Sequence, residues 1–191
     1  SITATDAAGN ISTAGTSSAE KDTAAPVIST VTSNATGAGV LKVGDTITFT
    51  VTMNATENGL VISPTTYNGG ALEWSTTDLG ATYTATYTVA EGQTDQGTAL
   101  QLTGVTATDT FGNTSAAVSG SDVVKTIDAN SPAAPVITSI AGDDKINDSE
   151  KGAVVIIGTA EINATISGTL TGEGDPVTVS GTADGDGNFS I

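Results

Sequence analysis

Carboxylates are the one reactive group this chain holds in quantity. Its 191 residues carry 21 Asp and Glu against 5 Lys and Arg, a formal charge of −16, and no histidine or cysteine. That excludes imidazole acid–base chemistry, Cys/His zinc sites, disulfides, and serine–histidine or cysteine–histidine nucleophile pairs. The acid excess argues against nucleic acid and anionic membranes, whose phosphates want Lys and Arg. Clustered carboxylates repel one another, and a hard divalent cation such as calcium relieves that repulsion. The plainer alternative is that the charge keeps the chain soluble.

Several acids recur in fixed company. Thr5-Asp6-Ala7-Ala8-Gly9-Asn10 and Thr108-Asp109-Thr110-Phe111-Gly112-Asn113 share the form Thr-Asp-X-X-Gly-Asn. Each is followed by a proline-bearing link, Asp22-Thr23-Ala24-Ala25-Pro26 and Asp128-Ala129-Asn130-Ser131-Pro132-Ala133-Ala134-Pro135. Asp184-Gly185-Asp186-Gly187 is a further acidic turn. Residues 142–152 invite an EF-hand reading, but the sixth-position glycine, twelfth-position Glu and flanking helices are absent. Asp143, Asp144, Asp148 and Glu150 of that loop are either cation ligands or solvated charges. Paired carboxylates can hydrolyse a glycoside, yet that needs a cleft lined with aromatics. The chain offers one tryptophan and three tyrosines, and Trp74 reads as core packing instead.

The elements that must position these acids are strands. Asp45 to Asn54 alternates cleanly: Ile47, Phe49, Val51 and Met53 point one way, and Thr46, Thr48, Thr50 and Thr52 the other. Tyr83, Ala85, Tyr87 and Val89 alternate in the same way. Further strands are expected at residues 27–33, 59–63, 71–75, 100–108 and 116–127, with one helical turn possible at 91–96. About seven short strands in residues 22–127 match a sandwich of two antiparallel sheets. Residues 1–21 read as a final hairpin, with a weaker strand over 11–19; two strands alone cannot bury a core. Residues 128–191 read as about five strands at 135–140, 153–159, 164–171, 177–183 and 188–191, with a closing hairpin missing. The chain therefore looks like a repeat array cut inside its repeats: the end of one domain, one complete domain, and the start of a third.

These motifs resemble bacterial Ig-like repeats, the extender regions of giant secreted adhesins of the repeats-in-toxin type. The likeness rests on the Thr108–Asn113 loop and the Asp22–Pro26 link. It rests also on Gly44–Val51 as a second strand and Tyr83–Gly92 as a fifth strand with its corner. Gly158-Thr159-Ala160-Glu161 and Asp184–Phe189 are similar to a second subtype. The second link departs from the family pattern, being longer with an extra proline. The resemblance implies an all-β chain of tandem Ig-like antiparallel sandwiches, one complete and two partial.

It also implies where the acids gather. Loops after the second, fourth and sixth strands meet at the pole where the chain enters a domain. For the complete domain they bring Glu57, Asp78, Asp109 and Asn113 beside Asp22 of the link. For the last domain the set is Asp128, Glu161, Asp184 and Asp186, with Asn188. Glu91 and Asp95 would add ligands at the exit pole. Asp and Asn also stand in turns for conformational reasons alone, so both readings stay open. The expected cofactor is Ca²⁺, bound between successive domains, where Pro26, Pro132 and Pro135 also stiffen the joints.

The expected function is thus mechanical: a non-enzymatic, calcium-rigidified spacer on the bacterial cell surface, serving adhesion and biofilm formation. Its partners are neighbouring repeats, with no nucleic acid and no membrane insertion. Alternatives are a module that itself contacts a glycan or protein, and an accessory domain of a secreted enzyme. Residues 1–19 are also expected to complement another copy head to tail.

Overall fold

The computed structural model describes residues 1–35, 39–98, 100–120, 125–172 and 175–191. Among the described residues there are strands and turns but no helix. They form two compact units, Ser1–Ala129 and Asn130–Ile191.

In the first unit, β1 (Ile28–Ser33), β3 (Thr46–Met53) and β7 (Thr82–Thr88) make one antiparallel sheet, with β3 central. The period-2 reading of β3 holds: Ile47, Phe49, Val51 and Met53 are all buried. Beside Ile47, Phe49 and Val51 in register on β7 stand Tyr87, Ala85 and Tyr83, on the same core-facing side of the sheet. On the outer face, Thr46, Thr48, Thr50 and Thr52 pair with Thr88, Thr86, Thr84 and Thr82. Two of these hydroxyls, on Thr48 and Thr86, lie 3.3 Å apart. β-Branched threonine suits a pleated, half-wet surface, so strand propensity and solubility are met without charge.

The second layer is built from shorter pieces. β4 (Val61–Ser63) pairs with β8 (Thr106–Thr108), and β5 (Thr66–Tyr67) pairs with β6 (Gly70–Ala71). β2 (Gly39–Lys42) runs parallel to β9 (Lys125–Asp128). Ile62, Leu60, Leu72, Leu102, Val105 and Ala107 join the residues of β3 and β7 in one core. This is the expected two-layer, all-β sandwich. Phe49, Tyr67 and Tyr87 stack edge to face, with ring centroids 4.9 and 5.2 Å apart. Burial pushes the Tyr67 hydroxyl up to about 12. Trp74 packs against this core and donates its indole N–H to the Pro64 carbonyl at 2.8 Å, as the core reading required.

Some local expectations need correction. Residues 91–96 form a turn, not a helical one, because Gly92 takes φ +77° and Gln93 folds back. Its side-chain oxygen accepts from Tyr87 Oη at 2.6 Å and Ala90 N at 2.9 Å. The strand expected at 71–75 is divided between β6 and a single bridge from Ser75 to Thr84. The strand expected over 11–19 is reduced to bridges at Ile11 and Gly15. Residues 121–124 of the strand expected over 116–127 lie outside the described residues. The β2–β9 pairing was not foreseen.

The second unit holds β10 (Val136–Ile140), β11 (Ile156–Thr159), β12 (Thr165–Leu170), β13 (Val177–Thr182) and β14 (Asn188–Ser190). β10, β11 and β14 form one antiparallel sheet; β12 and β13 form a second. The core is small: Ile156, Ile166 and Phe189, flanked by Ile140, Val179 and Ile191. Gly158 is needed on β11, since a Cβ there would lie 2.4 Å from the Phe189 ring and 2.3 Å from the Val136 carbonyl.

Candidate functional site

One turn geometry, Asp-X-X-Gly-Asn, positions three of the acids. In the turn 109–113, Asp109 Oδ1 accepts the backbone N–H groups of Phe111 and Asn113 at 2.9 and 2.8 Å. Its Oδ2 accepts the Asn113 side-chain amide at 2.8 Å. The turn 6–10 repeats all three bonds through Asp6, Ala8 and Asn10. In the turn 184–188, Asp184 Oδ1 accepts from Asp186 N and Asn188 N at 2.9 and 2.8 Å. Glycine at the fourth position takes a positive φ in each, +90°, +90° and +81°. The donated hydrogen bonds hold all three carboxyls below their ordinary value. The Asn side-chain amide leads at Asp6 and Asp109, and the Asn188 N–H leads at Asp184. The turn reading of these residues is thus physically sufficient: each acid staples its own hairpin.

Asp78 is a staple of another kind. It accepts from Thr82 N at 2.9 Å, Thr82 Oγ1 at 2.6 Å and Thr76 Oγ1 at 2.9 Å. Led by the Thr82 hydroxyl, these bonds lower its carboxyl to about 2.

Three acids do share a field. The Glu57 carboxyl is raised, first by burial and then by the negative charges of Asp109 and Asp22. Asp78 is not among the charges acting on it. The Asn113 amide that grips Asp109 also lies 3.5 Å from the backbone carbonyl of Asp22. The link is therefore drawn onto the hairpin of its own domain. Asp22 Oδ1 meanwhile accepts Ala24 N at 2.8 Å, and Pro26 is buried where the link ends.

The Glu57 loop is fixed by Tyr83, expected from the sequence only as a core-facing strand residue, and by Gly80, which the sequence reading passed over. Tyr83 Oη donates to the Glu57 carbonyl at 2.6 Å from within the core. Gly80, at φ +83°, lies so close that a Cβ would sit 1.9 Å from that same carbonyl. The signal available was Leu79-Gly80 following an Asp, a turn that requires left-handed backbone. Leu79 itself has φ +60°.

The remaining candidates lie in other loops of their own units. Asp95 Oδ1 accepts Ala129 N at 2.8 Å, and Gly92 N donates to the Ala129 carbonyl at 2.9 Å. Loop 91–96, which carries Glu91, is thereby tied to the end of β9, where Asp128 is the last residue. In the second unit, the Glu161 carbonyl accepts Ala164 N at 3.0 Å, and Ala160 N donates to the Gly187 carbonyl at 2.8 Å. This brings the Glu161 turn beside the turn of Asp184 and Asp186. In the acidic loop 142–152, Asp143, Asp144 and Glu150 each accept a nearby backbone N–H. Asp148 there pairs with Lys151.

Among the described residues, no three acidic side chains close into a group that could hold a metal as they stand. The donor chemistry at Asp22, Glu57 and Asp109 is all oxygen and suits a hard cation. The spacing is looser than a ligated one, and Asp109 is engaged by its own turn.

A family model described as a bacterial Ig-like domain matches residues 22–126. No curated protein matches the chain.

Proposed function

The chain belongs to the bacterial Ig-like domain family, and from that premise we propose that it is an extender segment of a cell-surface adhesin. It holds a distal adhesive part away from the cell. It has no catalytic task, and its partners are the adjacent repeats of its own chain. Its place is outside the bacterial cell; among the described residues no helix is long and apolar enough to cross a membrane. The chemistry of the acids supports a structural task. Hydrogen bonds hold Asp6, Asp78, Asp109 and Asp184 low, as staples of their own turns, and Glu57, whose carboxyl is raised, faces the charges of Asp109 and Asp22.

The finer proposal is that calcium stiffens the joint at Asp22. The observation that carries it is the raised Glu57 carboxyl, crowded by Asp109 from the domain and Asp22 from the link. Asp22 and Glu57 would hold the ion, with Asp109 contributing from its turn. A bound cation supplies the positive charge that offsets this repulsion.

Thermal melting with calcium and with chelator tests the reading. An ion that binds only the folded state raises the midpoint, by about 1.4 kcal/mol of stability at ten times Kd. Affinity in the extracellular range, on the order of 10⁻⁴–10⁻³ M, is expected. An unchanged midpoint through millimolar calcium sinks the calcium part and leaves the spacer part standing.

A further inference from the structure

Two Asn-Gly pairs stand in the first unit, Asn58-Gly59 and Asn68-Gly69. Such a pair is open to attack on itself. Glycine has no side chain to shield its backbone nitrogen, and that nitrogen can reach the carbonyl carbon of the asparagine amide. Both pairs are turns with the glycine at positive φ, +80° and +78°. By sequence alone they are equally reactive. Their surroundings separate them.

Asn68 is locked. Its Nδ2 donates to Tyr87 Oη at 3.1 Å and to the Thr94 carbonyl at 2.9 Å, and its Oδ1 accepts Gln96 Nε2 at 2.9 Å. The amide cannot swing toward Gly69 N without breaking these three bonds, two of them at the nitrogen that must leave. Asn58 is exposed instead, and among the described residues no hydrogen bond engages its side chain or the Gly59 N–H. The Asn58 turn also sits among charges. Asn58 follows Glu57, on which the charges of Asp109 and Asp22 act. A Cβ on Gly59 would lie 3.4 Å from the methyl of Thr110, the neighbour of Asp109.

We propose that Asn58 is a self-modification site, which deamidates in the folded protein and delivers a new carboxylate to the loops of Glu57, Asp109 and Asp22. Gly59 N gives up its proton to solvent and attacks Asn58 Cγ. The Cγ–Nδ2 bond breaks and ammonia leaves, closing a succinimide. Water then adds to one of the two ring carbonyls and splits its bond to Gly59 N. Opening at Cγ gives aspartate; opening at the backbone carbonyl gives isoaspartate, with the chain rerouted through the side chain. Water is the only co-reactant. Each event adds one negative charge at neutral pH to a chain already at −16, beside three like charges. The added repulsion needs no ion, so the proposal is independent of the calcium reading.

Peptide mapping by mass spectrometry, on the full chain aged at physiological temperature, reads both sites at once. Asn58 should convert at least about tenfold faster than Asn68, whose three hydrogen bonds must break first. In denaturant the two rates should converge, because only the fold tells the pairs apart. Asn58→Gln, whose amide lies one methylene too far for this ring, should block the conversion. Asn58→Asp carries the charge of the product without ageing. In chelator at low salt its melting midpoint should lie below that of wild type, and added salt should close the gap. Equal rates at Asn58 and Asn68 in the folded protein overturn the site, as does faster loss at Asn68. A midpoint for Asn58→Asp equal to wild type at low salt overturns the delivery of charge to Glu57, Asp109 and Asp22.

Discussion

The Asn113 amide grips the Asp109 carboxylate at 2.8 Å while lying 3.5 Å from the backbone carbonyl of Asp22. One side chain thus closes a hairpin and holds the link leading into the domain. Asn113→Ala should lower the melting midpoint and speed amide exchange at residues 22–26. Asn10→Ala removes the same turn bond in the exposed hairpin and should leave the midpoint unchanged. Equal effects from the two variants would show that the turn bond, and not its seating, is what matters.

Glu57 carries a cost in the absence of a cation. Its carboxyl is raised, so the charged form opposes folding above the folded pKa, and protonation relieves it. Glu57→Gln should therefore raise the midpoint slightly at neutral pH in chelator. In calcium the same variant should gain less than wild type. A variant that responds to calcium like wild type would remove Glu57 from the site.

Asp78 works in the other direction. Its carboxyl falls from an ordinary 3.8 to about 2 in the fold. The stabilisation is present above the unfolded value and drains away as pH drops from about 4 to about 2. Asp109, also lowered, adds to the same acid loss. Melting curves across that window should fall steeply for wild type and less steeply for Asp78→Asn, which starts lower at neutral pH. Parallel curves would mean the Thr76 and Thr82 bonds contribute nothing.

Gly80 and Gly69 separate close approach from backbone strain. Both take positive φ, +83° and +78°, but a Cβ at Gly69 meets nothing within 4 Å while one at Gly80 meets the Glu57 carbonyl at 1.9 Å. Gly69→Ala should cost about 1 kcal/mol from left-handed backbone alone. Gly80→Ala should cost more than about 2 kcal/mol, since backbone must shift. Denaturant titration measures both, and equal costs would contradict the contact.

Tyr83 offers a deletion of one oxygen. Its hydroxyl donates to Glu57 O at 2.6 Å and accepts Leu60 N at 3.3 Å beneath the Glu57 loop. Tyr83→Phe should cost about 1–3 kcal/mol, because two backbone groups lose their partner. It should also blunt any calcium response by loosening that loop. A neutral effect in denaturant titration would mean that water replaces the hydroxyl.

What the sequence discloses follows from range. β3 and β7 are legible because period-2 burial is written within eight residues, and their threonines advertise the wet face. β2 was invisible: Gly39-Val40-Leu41-Lys42 has only one buried residue, and its partner β9 lies far along the chain. The acids were legible as turn residues, and Asp-X-X-Gly-Asn fixes its own hydrogen bonds locally. Whether such a turn is seated depends on the surface it meets. Asp6 and Asp109 therefore read alike and end in different surroundings. Gly80 was missed because its reason is a carbonyl on another loop.

The parallel pair of β2 and β9 has a consequence for a chain under tension. β2 lies near the start of its domain and β9 at the end, joined in register from Gly39–Lys125 to Lys42–Asp128. Pulling the two ends apart drags these strands past each other along their length. Every bond in the seam then resists at once, whereas an antiparallel hairpin pulled from its open end unzips bond by bond. Four residue pairs of this domain are thus arranged to bear load in shear.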